Sequence, residues 1–414
     1  MTRITFDPNE VVRLASDLIA IESHSAAPGR EAEIGQFLVA WFRERGVDAK
    51  LVPALDGRPN VVARVDFGVP GPTLLLNGHL DTVPAGDMKD AFTPRIEDGV
   101  LWGRGACDMK STVAAMACTL AAAAREGLDA TTAVSGDGAA TKRTPAASGR
   151  ARGSGPRAGT LIFGGTVDEE TGSLGVKRLV ESGLKADYAV VGEPTCLRTA
   201  TAHKGACFIR IGLVGRGAHG SCPEQGVSAA SYGARILTAL EDELRPRLAK
   251  RTYPLLGAST VSVGRICGGT EPNIVAEHCE LDVDRRTLPG ETDALAEVRE
   301  LVASICDNVA GLTYDVVEMD RTSIVPHVPL GTAPDSKLAK ACAAACRDVG
   351  VPAEPVGVTY WTDGAHLAAN GIETVILGPG DIAHAHGPND HIRVADIEQA
   401  VRIYLGIAHA LLRR

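Results

Sequence analysis

The sequence predicts an α/β protein, a mostly parallel sheet covered by helices and interrupted once by a smaller α+β unit. Three observations predict it. Over 1–201, short apolar strands alternate with helical patterns, as in parallel sheets covered on both faces. From 202 to 317 the order becomes strand, helix, strand, strand, helix, strand, the ferredoxin-like arrangement. From 318 to 414 the first style resumes. The middle unit is therefore an insertion, and the larger domain is discontinuous.

The elements follow in order. An amphipathic helix is expected over 9–22 and a second over 30–45 (GREAEIGQFLVAWFRERG). Strands follow at NVVARVDF and TLLLNG, then a helix after Asp108. Its apolar run, VAAMACTLAAAA, is too short to cross a bilayer and suits burial inside an α/β domain. TLIFGGT and YAVVGE complete the first part. The inserted unit reads as strand CFIRIGLVG, helix 226–249, strands ASTVSVGRI and NIVAEHCELDVDRR, helix 292–309 and strand LTYDVVEM. A helix at 335–349, a strand at TVILG and a helix at 394–412 close the chain. The stretch 135–159 is rich in Gly, Ala, Ser and Pro and carries too few apolar residues to offset its ordering entropy, so it reads as a flexible surface-loop insertion.

With 414 residues and 45% hydrophobic content, the chain can bury a large core spread over two or three domains. A net charge of -9 without a basic stripe argues against nucleic acid and anionic membrane as partners. The amino terminus lacks the pattern of a secretory signal, so a cytoplasmic address is expected. Ten cysteines without a CxxC pair read as reduced thiols. Cys342 and Cys346, at i and i+4, share a helix face, but their setting in KLAKACAAACRDVG points to packing rather than metal binding.

Polar clusters sit where strands end or helices begin: His79 and Asp81 in LLLNGHLDTVP, Asp108 in LWGRGACDMKS, Asp168, Glu169 and Glu170 in FGGTVDEETGSLG, Glu193 in VVGEPT, and His384 and His386 in GPGDIAHAHGPND. In an α/β sheet such carboxyl ends converge on one crevice. Three adjacent acids resist burial, so in a cleft something positive must face them. Two histidines with several carboxylates suit zinc, and more carboxylates than one ion needs argue for two ions sharing a bridge. Asp81 is placed to accept the second N–H of the His79 ring and fix its tautomer. GRGACDMKST also has a loose likeness to a phosphate-binding loop, which would make the chain a nucleotide-binding protein. Met109 and Arg104 stand where that loop needs glycine, which weakens the reading.

From about residue 10 to the end, with NGHLDTVP, GRGACDMK, DEETGSLG, GEPT and AHGPND as its motifs, the sequence resembles the di-zinc amidohydrolase and peptidase family of acetylornithine deacetylase, succinyl-diaminopimelate desuccinylase, aminoacylase and glutamate carboxypeptidase. The resemblance implies a zinc-exopeptidase-like catalytic domain, 1–201 with 318–414, and a lid and dimerisation domain at 202–317. It implies two divalent ions, zinc first, with cobalt or manganese as alternatives. Asp108 would bridge them, His79 and Glu193 would complete one position, and Glu170 and His386 the other. His386 is preferred to His384 because it has the family spacing to Asn389 and Asp390. Glu169 becomes the general base that activates a metal-bridging hydroxide, and Asp168 a turn-forming neighbour. In the inserted domain, GRGAHGSCPEQG, EPNIV and DRRTLPGE imply that His219 holds the oxyanion, often across a homodimer, and that Asn273 and Arg286 contact substrate. The implied reaction is hydrolysis of the amide bond of a small N-acyl amino acid, with a metallo-dipeptidase or carboxypeptidase as the alternative. Ser111, Gly220 and Ser228 depart from the family pattern.

Overall fold

A computed structural model describes residues 6–126, 158–319 and 327–412. Its contacts divide the chain into two compact units, one of 1–201, 332–356 and 362–414, the other of 202–331 and 357–361. The second unit thus runs past 317, because Leu330–Gly331 pairs with Ala202 and His203 before the chain returns. Most of the loop expected at 135–159 lies outside the described residues.

In the first unit the sheet order is Asp48–Leu55, Arg58–Asp66, Thr160–Thr166, Thr73–His79, Tyr188–Val191, Glu373–Ile376, where Ile376 pairs with Ala200. The four strands from Thr160–Thr166 to Glu373–Ile376 are parallel. Every residue of Thr160–Thr166 is buried, as a strand covered on both faces requires. The flank formed by Arg58–Asp66 and Asp48–Leu55 is antiparallel, so the sheet is mixed rather than parallel throughout. These two strands join through Asp56 and Gly57, the residue pair that favours a two-residue hairpin turn.

Asp7 caps the helix Pro8–Ala20 by accepting the N–H of Asn9 at 2.9 Å, and Pro8 sits where no helical N–H is needed. Ser111–Glu126 packs between Pro8–Ala20 and Val394–Leu411. Its described residues are buried almost all round, which explains the unbroken apolar run. Lys337–Val349 packs on Val394–Leu411 with Cys342 and Cys346 in the core, as small hydrophobes. No helix among the described residues is long and apolar enough to cross a membrane.

The second unit is a four-stranded antiparallel sheet in the order Thr260–Gly268, His278–Thr287, Gly205–Val214, Thr313–Glu318. Helices Ala229–Ala239 and Ala294–Cys306 pack on it, burying Ile209, Ile211, Leu281 and Val283 against Ile236, Val298 and Val302. This is the expected βαββαβ unit, with the fourth strand beside the first. Ser228, one of the departures, caps Ala229–Ala239 by accepting the N–H of Ser231 at 3.2 Å. Gly220, another, has room for no side chain: a Cβ there would lie 2.9 Å from the backbone of Asn273.

Candidate metal centre

Parallel register builds the site. His79 lies beside Thr166 and Asn77 beside Val191, so the loops leaving these strands open at one end of the sheet. Those loops carry Asp81, Glu169, Glu170 and Glu193. Asp108 arrives from the turn before Ser111–Glu126, where Gly105 adopts φ +84, a conformation that favours glycine. The peptide between Asp108 and Met109 is cis.

Two groups of ligand-type atoms form there, His79 with Asp108 and Glu193, and Asp108 with Glu170 and His386. Asp108 belongs to both. Its Oδ1 lies 2.9 Å from His79 Nε2, and its Oδ2 lies 3.3 Å from His386 Nε2. Glu193 Oε1 is 3.8 Å from His79 Nε2, and Glu170 Oε1 is 3.1 Å from His386 Nε2. His384 is not part of either group; its ring stacks on His391 at 4.1 Å.

The nearest acceptor to His79 Nδ1 is the carbonyl of Asp81, at 3.0 Å, while the Asp81 carboxylate stands 3.6 Å away. That carboxylate is engaged elsewhere, accepting the N–H groups of Glu169 and Glu170 at 3.2 and 3.0 Å. Asp81 therefore fixes the His79 ring through its backbone and the acidic loop through its side chain. Asp168 adopts φ +74 and takes the hydroxyl of Thr171 at 2.7 Å, which is turn formation. It also accepts from the Leu174 N–H at 3.5 Å and from Arg58 at 2.9 Å, a guanidinium that forks onto Glu31 as well.

Electrostatics describes a site with more buried acid than its own cations balance. Burial, then the Asp108 carboxylate, pushes Glu193 up to about 7 against the pull of His79. Burial, then Glu193, pushes Glu169 well above the carboxylate range. Asp81 is raised to about 7, chiefly by burial, with Glu31 and Glu170 adding. Asp108 moves the other way despite burial, because both imidazoles hydrogen-bond it. Hydrogen bonds that the His386 ring donates to Asp108 and Glu170 raise it to about 10. Glu193 Oε1 is buried without a hydrogen-bond partner. An oxygen left so, within a set of two imidazoles and three carboxylates, fits divalent cations of the zinc class.

Sequence reasoning missed four participants. Asp363 is 1% exposed, accepts the Thr166 hydroxyl at 2.9 Å through Oδ2, and leaves Oδ1 without a partner. Burial raises it to about 8, with Glu193 and Asp81 adding. In the sequence it is a single Asp before Gly, which reads as a turn. Arg58 and Glu31 lie far from the motif they support, and nothing local marks them; Arg104 lies inside GRGACDMK, but its partner Asp390 is 286 residues away. Lys110, the lysine of the phosphate-loop-like stretch, is fully buried and donates to the Ile21 carbonyl at 2.6 Å.

The remaining expected residues belong to the second unit. There His219 pairs with Ile274 as an isolated antiparallel bridge, and the Gly220 N–H donates to the Asn273 carbonyl at 2.7 Å, so the exposed segments that carry His219 and Asn273 lie side by side. His219 Nδ1 lies 2.7 Å from Ser221 Oγ. Arg286 is half-buried, forks onto Asp284 at 2.9 and 3.0 Å, and lies 5.6 Å over the Phe208 ring.

The family model for "Peptidase family M20/M25/M40" matches residues 75–135 and 146–410. The chain belongs to this family. It is a metal-dependent amidohydrolase. The match skips 136–145, inside the stretch read as an insertion. The chain is 29% identical over 385 residues to an acetylornithine deacetylase of Klebsiella pneumoniae (strain 342), covering 90% of this chain and 89% of that protein. Its fold is similar to that of aminopeptidase PepT from Bacillus cereus ATCC 10987, with a TM-score of 0.77 at 21% identity over 98% of this chain and 99% of the other. It is also similar to Bacillus subtilis YXEP, described as a dinuclear metal binding peptidase, with a TM-score of 0.69 at 14% identity over 98% of each chain.

Proposed function

We propose that the protein hydrolyses the amide bond of a small N-acyl amino acid, in the manner of acetylornithine deacetylase or succinyl-diaminopimelate desuccinylase, using two divalent ions, zinc first. The observation that carries this reading is the Asp108 carboxylate, whose two oxygens face two separate histidine-bearing groups. His79, Asp108 and Glu193 would hold one ion and Asp108, Glu170 and His386 the other. Bound there, the ions would supply the positive field that acidifies water and polarises an amide carbonyl.

The protein groups do the rest. Glu169 is next to a ligand yet belongs to neither group, so its carboxylate is free to take a proton from the attacking water and hand it to the departing amine. Desolvation and the nearby Glu193 hold its pKa above the ordinary carboxylate range, which favours a carboxylate that takes up a proton. Asp81 orients both His79 and the loop that presents Glu169. In the second unit, His219 is assigned to the oxyanion and Asn273 and Arg286 to substrate, although Asp284 already occupies one side of the Arg286 fork. Pairing of two chains through that unit is part of the reading. One of its edge strands, Thr260–Gly268, pairs on one side alone among the described residues and exposes Ile266.

The test is a hydrolysis screen of N-acetylornithine, N-succinyl-diaminopimelate, other N-acyl amino acids and dipeptides with added zinc or cobalt, repeated with Glu169→Gln. The variant should keep two ions per chain while kcat falls about a hundred- to ten-thousand-fold. Turnover near the parent's would remove Glu169 from the mechanism, and a preference for dipeptides would favour the peptidase alternative.

A further inference from the structure

One buried ion pair ties together three of the chain segments that bring ligands to the centre. Arg104 and Asp390 are each 1% exposed, and Arg104 Nη1 lies 3.2 Å from Asp390 Oδ2. From the guanidinium, Nε donates to the Pro84 carbonyl at 3.2 Å and Nη2 to the carbonyls of Ala85 at 3.1 Å and His386 at 3.4 Å. From the carboxylate, Oδ2 accepts the Gly105 N–H at 2.7 Å and Oδ1 the Cys107 N–H at 2.8 Å. The Asp390 carbonyl takes the Gly103 N–H at 3.2 Å. The pair thus grips the segment after His79 and Asp81, the turn that delivers Asp108, and the loop that carries His386.

The two cation positions do not depend on this grip equally. His79 ends a central strand, and Glu193 follows a neighbouring one, so strand pairing places their backbones. The His386 side chain is 51% exposed, and its backbone sits at φ +62 in a loop. Its carbonyl is held by Arg104, and Asp390 is only four residues further along the chain.

We propose that Arg104 and Asp390 are positioning residues that set the distance between His386 and Asp108, and so govern occupancy of the second cation position while leaving the first nearly untouched. The proposal rests on the two-ion reading above. Neither side chain contributes a ligand atom; they act through backbone groups, as supporting partners do around other metal sites.

The test titrates metal-free protein with Co(II) or Zn(II) by calorimetry, with His386→Ala identifying which binding event belongs to the second position. In Asp390→Asn, which keeps the shape but not the charge, that event should weaken about 10- to 100-fold while the other stays within about threefold. Arg104→Lys, which keeps the charge but not the fork, should shift the same event in the same direction. Should Asp390→Asn fail to fold, Arg104→Lys carries the comparison alone. Unchanged affinities, or equal weakening of both events, overturn the proposal. A parent protein that binds fewer than two ions overturns the two-ion reading and the proposal with it, so the two failures are told apart by the parent's titration.

Discussion

The two halves of the proposed metal centre are built from different materials. His79 ends one parallel strand and Glu193 lies two residues past the end of its neighbour; they are 2% and 4% exposed and are placed directly by those strand ends. Glu170 and His386 come from loops, and their positions depend on side chains outside the two ligand groups: Asp81 under Glu170, Arg58 and Glu31 around Asp168, Arg104 behind His386. A strand-borne ligand is placed by backbone hydrogen bonds that the fold makes anyway. A loop-borne ligand needs dedicated hydrogen bonds of its own, and here buried arginines supply much of them. Asp108 belongs to neither half and serves both.

That contrast is most easily broken at its shared member. Asp108→Ala should lose both ions and nearly all turnover, whereas His386→Ala should lose one ion and keep the other. Elemental analysis of the purified variants checks both. Two ions retained in Asp108→Ala would show that the carboxylate is no bridge, and two lost in His386→Ala would show that the strand-borne half cannot hold an ion alone.

A smaller effect separates positioning from binding on the loop side. Arg58→Met leaves Glu31, with its side chain 1% exposed, and Asp168, at 7%, without their cation. Removing one partner of a buried pair costs about 3–5 kcal/mol, because the remaining charge stays desolvated. Urea unfolding of the metal-free protein measures it. A loss below about 1 kcal/mol, the range of exposed pairs, would mean that water reaches the cluster and that the acidic loop is held by Asp81 alone.

The same contrast explains what the sequence could tell. Strand-end chemistry was legible: His79, Asp108, Glu193 and the paired glutamates each sit at the border of an apolar run, and the sheet gathers such borders at one end. The inserted βαββαβ unit was legible because alternation and helical periodicity are local. The antiparallel hairpin Asp48–Leu55 with Arg58–Asp66 had its turn signal in Asp56 and Gly57, but the exposed first strand has no apolar stripe to go with it. Arg104 and Asp390 are 286 residues apart in the chain, and Arg58 and Asp168 are 110 apart. No spacing rule reaches that far, so supporting pairs emerge only once the fold has brought them together. Asp363 was hidden differently: burial, not neighbours in sequence, makes it unusual.

The smallest predicted effect compares two buried histidines. His79 is raised well above the ordinary imidazole value: burial opposes its charge, but Glu193 and Asp108 overcome it. For His203, in the second unit, no carboxylate among the described residues offsets burial. Its Nδ1 lies 2.9 Å from the Lys204 carbonyl, its Nε2 has no partner, and burial lowers its pKa to about 4. The folded protein therefore refuses a proton that the unfolded chain accepts near 6.5. Above that pH His203 contributes no pH dependence. As pH falls from about 6.5 to about 4 it costs stability progressively, reaching on the order of 3 kcal/mol, and below that the loss levels off. His203→Phe should flatten this part of the stability curve. Urea unfolding of metal-free parent and variant at pH 7 and pH 4.5 measures the difference, and equal losses in the two proteins would mean that His203 is not held neutral.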